Sequence, residues 1–580
     1  MRTEEMTRPG LHTLTEPIHI ESNTHLTAED GCRLTGGVLL SAIPAGERLW
    51  MCDLRAAGVT PAMFASRGFG RKIVPAHSEL FIDGEPMRIS RYPRTDFVKI
   101  TGVGKPIRDE WDSPCGALDG GFFYADDRPL QWGDDQEIWV HGYWSWDWSP
   151  TREGIGEWDK ARGFLQTRPP YGQYQFRVGQ RFCFFNIREE VTEPGDYCID
   201  YQNGKLWFVP EEDFDPETSE ILLSVCDRPA FALENVENVT LEGFTLEAFR
   251  GSAITIRNCR NITIDGCTLR NIGNRAVIAD DSFGVTVSDC VIHDTGDGGV
   301  QLYCGDRPTL TAADCTVENC HLYRIANWDR CYEPPIRLYG VGLRATGNTI
   351  HDCPHSAILF GGNDISITDN EIYRVVQETG DAGAVYGGRD YTFRGNEVSR
   401  NFLHHIGGTV GMGVMGIYND DSLSGTVMRD NVFYKVERAV FLGGGLDFVV
   451  ENNVFVDCSP AIAADGRGQS DHPVWRGMVD KTLRERFYHI AGSEVSAMSE
   501  PYLSRWPELA KIDAYYQSEP IPHVPASARI ANNLFCSERK IEYTWEVQNC
   551  DFREENNRDV ERPELRKHLS DYEYGVITRQ

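Results

Sequence analysis

A short unit repeats through the middle of the chain, and it restricts the fold more than any other feature. Between about 230 and 460, a polar or turn residue is followed by Asn or Cys, any residue, then an aliphatic or aromatic one: DGCTL, SDCVI, ENCHL, TGNTI, TDNEI, RGNEV, RDNVF and ENNVF. The repeating positions are Cys267, Cys290, Cys320, Asn348, Asn370, Asn396, Asn431 and Asn453, spaced by 23, 30, 28, 22, 26, 35 and 22 residues. A period near 22 with insertions marks a solenoid. Between these units stand short alternating or apolar runs ending at Gly or Asp, among them SAITI, SAILFGG, GAVYGG and MGIYND, each a strand of four to six residues. The LxxLxLxxN pattern of a leucine-rich horseshoe is absent and the repeat has no helical stretches. Three strands and three turns per coil fit a right-handed parallel β-helix, with equivalent residues stacked about 4.8 Å apart. The Cys-then-Asn column is expected to form an inward ladder at one corner, a structural role.

The rest of the chain divides around this repeat. Residues 10–44 read as the first β-helix coils. Residues 45–225 are rich in aromatics and turns, with a hairpin signal at Asn203-Gly204, and read as an inserted antiparallel β domain. Residues 226–460 are the main parallel β-helix. Residues 461–580 hold a helical insertion (VDKTLRERFYHIA, EPYLSRWPELAKIDAYY), one more coil at IANNLFCS, and a charged tail. The fold class is therefore all-β, a parallel β-helix solenoid with an inserted antiparallel domain and a short helical C-terminal extension.

Charge narrows the partners. With 57 Lys and Arg against 87 Asp and Glu, the net charge is −30, a surface that repels phosphate backbones, so nucleic acid is not an expected partner. No apolar run is long enough to span a membrane. The first 30 residues carry no apolar signal core, which leads to the expectation of a cytoplasmic protein or a mature form. The 17 cysteines form no CxxC pair or zinc-spaced cluster, and their recurrence in the repeat points to buried thiols.

Acidic residues gather on one face of the solenoid. Aligning strands by their ends at Phe360, Tyr386, Tyr418 and Leu442 places His355, Asp381, Gly413 and Glu437 before them, and Asp364, Asp390, Asp420–Asp421 and Asp447 after them. Asp280–Asp281, Asp297 and Asp306 fit the same edges earlier. Asp and Gly are ordinary turn residues, but like charges stacked about 5 Å apart need protons, cations or ligand to offset them. Glycosidic cleavage needs a protonated and an ionised carboxyl; calcium binding is the competing use of such acids. Tyr143, Trp144, Trp146 and Trp148 supply ring faces that either stack on sugars or fill the inserted domain's core, and His404–His405 lie next to the acidic coils in sequence.

The run from HDCPHSAILFGGNDISITDNEIYRVVQETGDAGAVYGG to GVMGIYNDDSLSGTVMRDNVFYKVERAVFLGGG, together with RISRYP and PGDYCIDYQNGKLWFVP, resembles a group of bacterial right-handed parallel β-helix glycoside hydrolases, similar to families 141 and 120 of the pectate-lyase-like superfamily. The resemblance spans about 15–540. It implies an α-L-fucosidase-, β-xylosidase- or xylanase-like activity on a plant-type oligosaccharide, with an acidic pair drawn from TGDAG and YxDD, here Asp381 and Asp421 or Asp420.

On this reading Glu378, His355, Asp390, Arg389, His405 and Trp146 bind or position the sugar, and no cofactor or metal is called for. An oligosaccharide is the expected partner, with no nucleic acid and no membrane, and a homo-oligomer is left open. Two other classes stay in view. One is a uronate lyase or epimerase using Arg389, Arg394 or Arg400 against the substrate carboxylate. The other is a non-catalytic carbohydrate-binding solenoid.

Overall fold

The computed structural model describes residues 7–69, 75–408 and 411–578. Among these, three parallel sheets of 13, 12 and 11 strands form the walls of a prism. The register in the 11-stranded sheet runs Phe231, Ile254, Val277, Val300, Ile336, Ile358, Val385, Ile417, Val440, Ile462 and Ile541 from coil to coil. This unbroken inward column is why short apolar strands suffice. Each strand buries alternate residues against the coils above and below, and the buried side chains join into one continuous core. Phe433, Phe455 and Phe535 stack within it at 4.9 and 5.4 Å.

One corner explains the repeating unit. The residue before each ladder position is left-handed: Asp289, Asn319, Asp369, Asp430, Asn452 and Asn532 all have φ between 50 and 59°, a conformation that Asn and Asp tolerate best after glycine. The next side chain then turns inward. Cys290 and Cys320 donate weakly to the carbonyls of Ile264 and Val287. From Asn348 onward each amide accepts from the one before and donates to a backbone carbonyl, through Asn370, Asn401, Asn431, Asn453, Asn533 and Asn557. The expected member Asn396 is not in this ladder. It sits at another corner, accepting from Ile365 N and donating to Gly362 O. Its GNEV context mimics the unit, while the true member follows Arg400, whose left-handed φ of 54° replaces the usual Asp or Asn and hides the signal.

Two insertions interrupt the solenoid without disturbing its register. Gly10–Thr13, the Ile18 bridge, His25–Thr27 and Cys32–Thr35 make a first coil. The chain then departs, Gly37–Leu39 pairing antiparallel with Ile221–Ser224, and returns so that Thr245–Glu247 pairs directly with Cys32–Thr35. The excursion is antiparallel apart from the short parallel pairing of Arg88–Ile89 with Asp196–Asp200, and is dominated by an eight-stranded sheet. It is fastened to the solenoid by the buried Arg67–Asp297 ion pair, by Tyr143 Oη donating to Glu378 at 2.6 Å and by Arg181 donating to Glu378 O at 2.7 Å. The second excursion follows Ile462–Asp465, itself a solenoid strand paired to Arg438–Gly443. Helical turns over Pro473–Gly477, Met478–Leu483 and Arg484–Phe487, then Glu500–Arg505 and Leu509–Tyr516, precede the return at Ser527–Ala531.

The tail helices lay Leu565 and Ile577 on the outside of the 13-stranded sheet, against Phe402, Tyr434 and Val456. All 17 cysteines are free thiols, and 15 of them are buried. Among the described residues no helix is long and apolar enough to cross a membrane.

Candidate active site

The two insertions and the 11-stranded sheet enclose a cleft of about 1230 Å³. Its floor is the sheet itself. Tyr386, Tyr418 and Phe441 follow one another in register, Gly388 pairs with Asp420, and Gly443 pairs with Asp465. The alignment used above through Phe360 and Leu442 is one residue off: Leu359 and Phe441 are the partners of the tyrosines. Phe69, Trp111, Trp146, Trp148 and Tyr174 wall the cleft from the inserted domain, Trp475 and Met478 from the helical segment, and Trp545 from the last coil.

Asp381, Asp420 and Asp421 all line this cleft. They do not form a stacked column. Asp381 stands at the entry of its strand with φ of 51°, its amide bonded to Gly413 O at 2.8 Å. Asp420 ends the next strand, and Asp421, with φ of 46°, begins the turn. The strands run in one direction, so start and end would lie apart on a bare sheet; two tyrosines bridge the offset. Tyr418 Oη donates to Asp381 Oδ1 at 3.1 Å, and Tyr386 Oη donates to Asp420 Oδ2 at 2.9 Å. Arg467 joins the cluster from the far side, donating to Asp420 Oδ1 at 2.7 Å, to Asp421 Oδ1 at 3.1 Å and to Asp465 Oδ2 at 2.8 Å.

This environment separates the carboxyls. Burial, then the adjacent Asp421 charge, pushes Asp420 up to about 7, against the pull of Arg467. Burial also works to raise Asp421, but Arg389 and Arg467 outweigh it and hold Asp421 below the ordinary carboxylate range; Arg389 Nε donates to Asp421 Oδ2 at 2.7 Å. Asp381 is raised by burial, opposed by Arg467 and by its tyrosine hydrogen bond. At neutral pH the cluster thus holds a protonated-capable acid beside a fixed anion.

The remaining expected residues divide. Arg389 lines the cleft but is committed to Asp421, and Trp146 lines it with Trp148 stacked 6.4 Å away. Trp144 is buried in the inserted domain's core, its indole bonded to Thr151 at 2.8 Å, and Tyr143 is buried at the domain junction. Four other assignments fall outside the cleft lining. Glu378 is held by Arg330 at 2.6 and 3.0 Å and by Tyr143; burial opposes its ionisation, but Arg330 keeps it well below the ordinary range, so it is a domain-junction anion. His355 is buried behind Tyr332, 4.7 Å ring to ring, and burial depresses it to about 3. Asp390 is turned inward to accept from Thr392 at 2.6 and 2.8 Å. His405 is a left-handed corner residue on the 13-stranded sheet, beside His404, which stacks on Tyr373 at 4.8 Å. Proximity in sequence to the acidic coils placed it on the wrong wall.

The edge acids also disperse, Asp364 to Arg505 and Asp447 to Arg394. Arg394, paired with Asp447 and Glu508, is fully buried, and Arg400 is tied to Asp369 at a corner, so neither can meet a substrate carboxylate. Sequence reasoning missed Asp465, Arg467, Arg438 and Trp475. Asp465 does carry a signal, since it ends the strand Ile462–Asp465 as Asp420 ends Val414–Asp420; a boundary drawn at 460 concealed it. Among the described residues no group of three or more His, Cys, Asp or Glu is arranged to hold a metal ion.

Comparison with known proteins agrees on the architecture. The family model described as a right handed beta helix region matches residues 218–339 and 335–471. No curated protein matches the chain. A solved glycoside hydrolase superimposes with a TM-score of 0.61 at 14% identity, covering 82% of this chain and 92% of that one. The complex of XylC with xylose gives a TM-score of 0.42 at 9% identity, covering 95% and 80%. The sheet topology and the matching family model make the fold a right-handed parallel β-helix.

Proposed function

We propose that the chain is a glycoside hydrolase in which Asp420 acts as general acid and Asp381 as its partner carboxylate. The observation that carries this reading is the common floor of the cleft. Two acids from adjacent coils face one aromatic-walled cavity, each bonded to a tyrosine and both acted on by Arg467. An acid held near pH 7 keeps its proton at working pH and can deliver it to a leaving glycosidic oxygen. Burial, with the fixed negative charge of Asp421 locked between two guanidinium groups, keeps Asp420 protonated. Asp381 then acts either directly at the anomeric carbon or through a water. Trp146, Trp148 and Trp475 line the cleft, with Arg177 against Trp146 and Arg467 against Trp475, and aromatic walls of this kind suit the apolar faces of a short oligosaccharide. The resemblance to families 141 and 120 favours a plant-type substrate of the fucoside or xyloside class.

The test is a panel of aryl glycosides and plant oligosaccharides between pH 5 and 7, with and without a chelator. Release from at least one sugar, unchanged by chelator and lost in Asp381→Asn, is the expected result. Silence across the panel, or full turnover by Asp381→Asn, would remove the proposal.

A further inference from the structure

Three tryptophans that line the cleft also touch one another. Trp111 comes from the inserted domain, Trp475 from the helical segment and Trp545 from the last coil. The ring centroids of Trp111 and Trp475 lie 5.6 Å apart, and those of Trp475 and Trp545 5.8 Å apart. His472 adds a stacked contact on Trp111 at 4.8 Å. The two insertions therefore meet, and their meeting closes the cleft at the end where the solenoid itself stops. Both sides of this arch are fixed. Asp109 accepts from the N–H groups of Trp111 and Ser113, each at 2.9 Å, and pairs with Arg177. The Val474 N–H donates to His472 Nδ1 at 3.3 Å, which caps the helical turn carrying Trp475. In the opposite direction the floor continues. The register runs back from Phe441 through Tyr418, Tyr386 and Leu359 to Arg337, and a second hollow of about 250 Å³ opens beside Tyr332 and Tyr386.

The arch stands close to the acid cluster. Arg467 donates to Asp420 Oδ1 at 2.7 Å, and its guanidinium carbon lies 5.0 Å from the centroid of a Trp475 ring. With a C–N bond of about 1.3 Å, no more than about 9 Å separates that carboxyl oxygen from the ring centre. A glycosidic oxygen in hydrogen-bond reach of Asp420 and a sugar in van der Waals contact with Trp475 leave space between them for a single pyranose. We infer that the Trp111–Trp475–Trp545 arch makes the protein exo-acting, with one terminal sugar held between Asp420 and Trp475 and the rest of the chain leaving over the second hollow. Each event then adds one water across the terminal glycosidic bond and frees one monosaccharide. The inference rests on the hydrolase reading of the cleft and adds to it where along a chain the bond is cut.

Product patterns test it. Xylo-oligosaccharides and fucosylated plant oligosaccharides, from dimer to hexamer and labelled at the reducing end, would be digested and the first products separated by length. The native protein should release monosaccharide and chains shortened by one unit, with no fragment from an internal cut. Trp475→Ala removes the centre of the arch. Its ratio of monosaccharide to longer released fragments should fall by about tenfold or more, the discrimination that a contact of this size governs. Trp111→Ala leaves the Arg467–Trp475 contact in place and should lower the same ratio to a smaller extent, so the test stands even where Trp475→Ala does not fold. The ratio is read independently of the overall rate, which a merely structural role for the tryptophans would change without altering the pattern. Internal fragments among the first products of the native protein, or a native ratio in both variants, would overturn the inference and leave the hydrolase reading standing. No cleavage of either series would count against the hydrolase reading itself, and the inference falls with it.

Discussion

The asparagine ladder and the acid cluster are built by the same solenoid, a few strands apart, and they end in opposite chemical states. In the ladder, coils meet in strict register. Asn370 accepts from the amide and side chain of Asn348 and donates to Ala345 O and Asn401, so nothing is left over for a ligand. In the cluster, Asp381 enters its strand and Asp420 leaves the next one, and the register sets only glycines, Gly413 and Gly388, beside them. Their side-chain hydrogen bonds come from Tyr418, Tyr386, the distant Arg467 and the backbone N–H of Asp421, and the carboxyls line the cleft. Perfect repetition satisfies polar groups and makes structure; broken repetition leaves them unsatisfied toward a cavity and makes a site.

This contrast predicts different consequences for removing one residue from each. The largest effect is expected for Asp420→Asn. Turnover of a natural oligosaccharide should fall by about 10³-fold or more, with circular dichroism unchanged. The same variant should be more stable than the parent at neutral pH. Asp420 binds its proton more tightly folded than unfolded, so its contribution to stability is present below the ordinary carboxylate pKa and is lost as pH rises toward about 7. A denaturant midpoint that falls on substitution would contradict that sign.

Asn370→Ala should do the reverse. It strands several buried hydrogen-bonding groups and should cost about 2–4 kcal/mol in stability, with specific activity per folded molecule preserved. Equal losses of activity and stability in both variants would dissolve the distinction between ladder and cluster.

Two smaller effects sharpen it. Asp421→Asn removes the neighbouring anion and frees Arg389 and Arg467 to act on Asp420. The alkaline limb of the pH–rate profile, expected near 7, should therefore move acidward by about one unit; an unmoved limb would mean that Asp421 does not set it. Trp146→Ala should raise KM by several-fold, about 1 kcal/mol, with kcat nearly constant. A loss confined to kcat would place Trp146 in the chemistry rather than the wall.

The fold was largely legible because its determinants are local and repeated. A left-handed Asp or Asn followed by an inward Cys or Asn marks each corner, and the aliphatic that follows marks each strand. Reading failed where one member of that code changed, as when Arg400 displaced the expected residue and Asn396 was mistaken for Asn401. The site was legible only in part. Asp381 and the Asp420–Asp421 pair stand out as acids at strand ends in a glycine-rich context. Arg467, Trp475 and the distinction between Trp146 and Trp144 depend on how two insertions fold back over the sheet. That information lies in long-range packing, with no period to announce it. His355 and Glu378 look like site residues in sequence because they border the acidic coils, yet packing turns them inward against Tyr332 and Arg330.

The most direct test of the account is the leaving-group dependence of Asp420→Asn. The kcat/KM of this variant, relative to the parent, would be measured on the oligosaccharide found in the panel and on the dinitrophenyl glycoside of the same sugar. A general acid matters for a poor leaving group and little for one that departs without a proton. The account therefore predicts a loss of about 10³-fold on the oligosaccharide and under about tenfold on the dinitrophenyl glycoside. Equal losses on the two substrates would show that Asp420 is not the acid, and the assignment of the cleft's two carboxyls would have to be reversed or abandoned.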